Sequence, residues 1–99
     1  MKRQIFNRII ECVSTITDIL KEDILGQKKN ADIVEARCLV IYHCKHYGMT
    51  NEYLMNLFNK SSVASITNMV KQYDVYYKSS RIFQFFDKEI DNKLGEFFS

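Results

Sequence analysis

Residues 32–72 read DIVEARCLVIYHCKHYGMTNEYLMNLFNKSSVASITNMVKQ, and their spacing divides them into three helices separated by two short breaks. Ile33, Ala36, Val40, Cys44 and Tyr47 recur at helical intervals and predict one buried seam on the first helix. Gly48 suits a left-handed helix end, and Thr50 is placed to cap the next helix. That second helix is short, with Tyr53, Leu54, Leu57 and Phe58 as its apolar residues. Asn59, Lys60, Ser61 and Ser62 form a polar break, with Ser61 or Ser62 as the following cap. The third helix is expected to bury Val63, Ile66, Val70, Tyr73 and Tyr77. A short helix, a tight polar turn and a longer helix outline a helix-turn-helix.

The opposite face of the third helix is informative. Ser61, Ala64, Ser65, Asn68 and Gln72 are small or amide-bearing, lie three or four residues apart, and include no acid. Small residues let a helix approach base edges, and Asn or Gln can pair with adenine in the major groove. An ordinary solvated helix face has the same pattern, so periodicity alone leaves both readings open.

The run DIVEARCLVIYHCKHYGMTNEYLMNLFNKSSVASI resembles the C-terminal DNA-binding domain of the bacterial replication initiator DnaA. In that family a basic loop leads into a helix bearing an Ala-Arg or Pro-Arg pair. A Leu-rich short helix and a glycine-containing turn follow, and the recognition helix opens with Asp-His-Thr-Thr-Val. Lys28 and Lys29 fall in the basic loop, Ala36-Arg37 on the paired position, and Lys45 on a basic phosphate-contacting position. Leu54 and Phe58 match the short helix, and the resemblance spans roughly residues 5–75. The opening of the recognition helix departs from the pattern. Ser62-Val63-Ala64-Ser65-Ile66 replaces Asp-His-Thr-Thr-Val, and the turn at Asn59-Lys60-Ser61 is a residue shorter and lacks glycine. Cys38 stands where the family often has Gln. The resemblance therefore implies the fold, with weak discrimination of the initiator's usual DNA box.

Ninety-nine residues suit one domain with one core. With 46% hydrophobic and 26% charged residues the composition is that of an ordinary soluble domain. No proline and three glycines argue against an all-β chain, which needs many turns. The net charge of +2 is modest, but its distribution is uneven. Residues 1–27 hold four basic and four acidic side chains, residues 28–81 eight and four, and residues 82–99 two and four. The positive surplus thus sits on the helix-turn-helix, where phosphate contacts need it. Cys12, Cys38 and Cys44 cannot all pair, no signal peptide is evident, and no apolar run approaches membrane-spanning length. Buried thiols in a reducing cytoplasm are expected.

Outside the central stretch, residues 3–20 predict a first helix with a broad apolar face along Ile5, Ile9, Cys12, Ile16 and Leu20. Lys21 to Leu25 add a short turn of helix ending at Gly26, and Asn30 is placed to cap the helix through Arg37. A last helix spans about 81–97, with Phe83, Phe86, Ile90, Leu94 and Phe97 on one seam. Its phenylalanines are expected to close the domain's own core; the alternative is an exposed patch for a homodimer or protein partner. The whole predicts an all-α bundle of about five helices, near 3–20, 31–47, 50–58, 62–77 and 81–97.

Chemistry-bearing arrangements are sparse. Cys38, His43, Cys44 and His46 point in different directions around one helix, and no CxxC or HxxxH spacing is present, so no metal is expected. His43 and His46 are expected to be partly exposed, and Tyr42 and Tyr73 to lie in the core. Neither a GxSxG nor a GxxxxGK[ST] motif occurs, so neither an enzyme nor a cofactor is expected. The expected partner is double-stranded DNA, in an accessory or regulatory role in replication or transcription. Ser61, Ser62, Ala64, Ser65, Asn68 and Gln72 would face the groove. Lys28, Lys29, Arg37, Lys45, Lys60 and Lys71 would meet phosphates or, for the loop, a minor groove. The alternative is a protein-interaction module that kept the fold and lost DNA recognition.

Overall fold

The computed structural model describes residues 1–60 and 62–98, and within them every regular element is a helix, with no strand. The elements are α1 (Lys2–Thr17), α2 (Lys21–Leu25), α3 (Ala31–His46), α4 (Asn51–Leu57), α5 (Val63–Ser79) and α6 (Arg81–Phe98). The all-α expectation holds, and the five longer helices lie within a few residues of their predicted bounds.

The first helix stops earlier than its apolar pattern suggests. Asp18 adopts φ 60° at the end of α1, which turns the chain at Ile19 and Leu20 before α2. Ser14 holds this turn by donating its hydroxyl to the Ile19 carbonyl at 2.6 Å. Leu20 is left exposed rather than on the seam.

α3 is the helix around which the others pack; it meets α1, α2 and α5. The single predicted seam is too narrow. Ile33, Ala36, Val40 and Cys44 are buried as expected, and so are Arg37, Cys38, Leu39, Ile41 and His43 on the other sides. A helix apolar on most sides belongs in the middle of a bundle. Because neighbouring helices cover both flanks, His43 is buried instead of partly exposed, whereas His46 is exposed.

Two helix ends position the helix-turn-helix. Gly48 takes φ 91° after α3, with Gly48 N–H donating to the Lys45 carbonyl and Met49 N–H to the Cys44 carbonyl. This pair of bonds closes the helix in a Schellman motif, and the following Met49 is buried. Thr50 then caps α4 by accepting from Tyr53 N–H at 3.1 Å. After α4 the same motif recurs with Asn59 at φ 53°, the Asn59 and Lys60 N–H groups donating to Asn56 and Met55. Ser62 caps α5, its hydroxyl accepting from Ala64 N–H at 3.1 Å. Phe58, fully buried, packs edge-on against Phe6 at 5.9 Å and fixes the turn to α1.

α6 closes the core. Phe83, Ile90 and Leu94 are fully buried, and Phe86 packs partly against the core. Phe97 departs from the expected seam: it is 52% exposed and lies beneath the Arg8 guanidinium, 4.5 Å from its ring centroid. α6 is also tied in by polar bonds. The Asp87 carboxylate accepts from His43 Nε2 and from the Tyr73 hydroxyl, each at 2.8 Å, joining α3, α5 and α6. Burial, then the Asp87 carboxylate, push the Tyr73 phenol above its usual range. Tyr42 stacks on Tyr73 with centroids 3.5 Å apart, which places both rings in the core as expected.

Candidate nucleic-acid interface

α5 packs its Ile66 and Tyr73 edge against α3 and α4 and turns another face outward. On that outer face Ser62, Ala64, Asn68, Lys71 and Gln72 are exposed and Ser65 is half-exposed. Asp74, the acid on α5, lies about 135° of helix rotation from the centre of this face. The first turn of α5 is anchored to α4 by Asn51, whose amide donates to the Thr67 hydroxyl at 3.2 Å. Ser61 lies outside the described residues.

The basic residues divide into two groups. Lys60, in the turn before α5, reaches back to the loop after α2 and donates to Gln27 Oε1 at 3.0 Å. Its ammonium is held below the usual lysine range, chiefly by burial and then by the charges of Arg37 and Lys29. Three cations therefore crowd one side of the turn. Lys28 belongs to the same loop and pairs with Asp23 at 3.1 Å; a surface pair of this kind contributes at most about 1 kcal/mol and leaves the ammonium accessible. Lys29 is exposed and forms no ion pair among the described residues. Lys45 shares a shallow depression with Gly48, Thr50 and Val63, the first residue of α5; Glu52 shares it too.

Arg37 does not present its side chain to a duplex. It is 2% exposed, and its guanidinium is spent on backbone: Nε donates to the Ile24 carbonyl at 2.7 Å and Nη2 to the Asp23 carbonyl at 3.0 Å. These are carbonyls at the C-terminal end of α2; Asp23 also accepts from the Gly26 N–H at 3.2 Å, and the guanidinium completes the cap by binding the Ile24 carbonyl. Burial lowers the guanidinium's pKa, yet arginine remains charged. Its charge reaches Lys60 through space while its hydrogen bonds hold α2 and the basic loop in place.

Sequence reasoning missed Gln27 as the residue that positions Lys60. It also missed the His43–Asp87–Tyr73 network, whose partners are 14 and 44 residues apart in the chain and leave no local spacing to read. Cys38 is buried, its thiol donating to the Met69 carbonyl at 3.2 Å, and burial pushes its pKa up to about 12. Among the described residues no three His, Cys, Asp or Glu side chains converge as metal ligands, and no helix is long and apolar enough to cross a membrane. No family model matches the chain, and no curated protein is similar to it in sequence.

Proposed function

We propose that this chain binds double-stranded DNA, laying the outer face of α5 in the major groove with lysines on the flanking phosphates. The observation that carries this reading is the Lys60–Gln27 hydrogen bond at 3.0 Å, which brings the basic loop with Lys28 and Lys29 against the turn before an exposed, acid-free helix face; the Arg37 and Lys29 charges act on Lys60 there. Like charges held together raise the free energy of the unbound protein, and a phosphate placed among them relieves that repulsion. The resemblance of residues 5–75 to the DnaA C-terminal domain supports the same reading and suggests a service to replication or transcription.

On this view Ser62, Ala64, Ser65, Asn68 and Gln72 meet the groove, and Lys28, Lys29, Lys45, Lys60 and Lys71 meet phosphates. Arg37 acts as the support of the basic loop. Asn68 and Gln72 are the residues with base-reading capacity, through bidentate pairing to adenine. With Ser62 and Val63 in place of Asp and His, affinity is expected to come mainly from phosphates, with little preference for one sequence. Fluorescence anisotropy with an initiator-box duplex and a random duplex of equal length tests this. Similar binding to both at low salt is expected. No binding to either removes the proposal and leaves a protein-interaction module, a reading that the exposed Ile82 and Phe85 of α6 support independently.

A further inference from the structure

We propose that two copies of this chain associate through the groove between α3 and α6, the ridge of each α6 entering the groove of the other. The proposal stands apart from DNA binding and concerns another face. The groove is a cavity of about 390 Å³ whose apolar walls come from Ile19, Ala36, Leu39, Ile82 and Phe86. Asp32 and Glu35 of α3 form its rim. Neither carboxylate has a cation: no ion pair among the described residues includes them, and Asp32 accepts only from the backbone N–H of Ile33. The Glu35 carboxyl is held above its usual range by burial and by Asp32.

Beside the groove runs a ridge with the complementary chemistry. Arg81, Phe85 and Lys88 are spaced i, i+4, i+7 and share one exposed face of α6. Phe85 is 57% exposed and the adjoining Ile82 61%, while Arg81 and Lys88 have no acidic partner among the described residues. An aromatic flanked by cations thus lies next to an apolar groove rimmed by acids. The two cannot satisfy each other within one chain, because Phe85 lies on the outward face of the same helix that supplies one wall of the groove, through Ile82 and Phe86. A two-fold axis between neighbouring copies solves this: Phe85 of each copy enters the groove of the other, with Arg81 against Glu35. Such self-complementarity within one patch is what an isologous dimer requires. A second copy is favoured over an unrelated partner because this chain itself supplies both halves of the match. Association of two copies is concentration-dependent.

Sedimentation velocity without DNA, over a hundredfold range of concentration up to the sub-millimolar, tests the proposal. Wild type is expected to shift from the 11.7 kDa monomer to twice that mass. Phe85→Asp, a change at an exposed position, is expected to stay folded by circular dichroism and to remain monomeric throughout. Glu35→Arg and Arg81→Glu are each expected to weaken the dimer at least tenfold, and the two together to restore it. Three results overturn the proposal: a wild type that is monomeric at every concentration, a dimer indifferent to Phe85→Asp, or a charge-reversed double variant no better than either single one.

Discussion

Arg37 and Lys60 both place positive charge near the start of α5, and their surroundings assign them different work. Arg37 is enclosed and bonded to two carbonyls of α2, so its removal takes the side-chain donor from the buried Ile24 carbonyl and leaves Asp23 with the Gly26 N–H alone. Arg37→Ala is expected to cost about 2–4 kcal/mol of stability, from the loss of two charge-assisted bonds. Urea unfolding reads this as a lower midpoint with unchanged slope. A surface arginine would show a change within about 0.5 kcal/mol. The sequence shows Arg37 on a helix after a basic loop, and such a residue reads equally as a phosphate contact. Only the position of α2, folded back across α3, shows that the guanidinium has carbonyls to satisfy. Glu35 offers a second test. Its folded pKa is raised, so the stability it contributes is fully present below the unfolded value, about pH 4.3, and is lost as pH rises through the folded one. In dilute solution, where the monomer prevails, Glu35→Gln is therefore expected to raise the thermal midpoint at neutral pH. Near pH 4 the variant and wild type should coincide, and a variant less stable than wild type at neutral pH would show that Glu35 has an intramolecular partner.

At the scale of elements, the helix ends decide where α4 and α5 begin, and several were legible. Gly48, Thr50 and Ser62 hold residue types that favour a left-handed end or a cap, and each does that job. Asn59 was visible only as part of a polar break, because asparagine is a weaker signal than glycine for a left-handed residue. Asn30 sits at the start of α3 as expected but makes no side-chain cap bond. The two glycines of α-helical regions give a contrasting pair. Gly48 has φ 91° and open space around a would-be Cβ, so Gly48→Ala is limited by backbone strain alone and should cost about 1–2 kcal/mol. Gly95 sits within α6 with equal space and an ordinary helical conformation; Gly95→Ala should stabilise by about 0.5–1 kcal/mol. Thermal unfolding of the two variants should move in opposite directions. Equal shifts would mean that the left-handed end of α3 is not what fixes the entry to α4.

At the scale of the molecule, α6 is an integral wall of the core, through Phe83, Ile90 and Leu94 and through the Asp87 bonds to His43 and Tyr73. Deleting residues 82–99 is expected to abolish cooperative unfolding monitored by circular dichroism, and a truncated chain that still melts cooperatively would show that α1 to α5 fold without it. The all-α architecture was legible because long periodic runs are interrupted by few breaks. What periodicity hid was how far each helix is enclosed. A seam counts the residues facing one neighbour, whereas α3 has neighbours on several sides, which buries Arg37 and His43, and Phe97 falls at the margin of the α1–α6 contact, where Arg8 covers its ring and about half of it stays exposed. The candidate interface was legible as a charge surplus and an acid-free face on α5; its organisation through Gln27 and Lys60 depends on a contact across 33 residues. The most direct measurement is the salt dependence of duplex binding for wild type and for the Lys29→Ala/Lys60→Ala double variant. Each phosphate contact contributes about 0.9 to the slope of log affinity against log salt. DNA binding through this cluster predicts weaker affinity for any sequence and a slope shallower by about 1.8 in the double variant, with the fold intact. A wild type that binds no duplex at low salt, or a double variant with the wild-type slope, would contradict it.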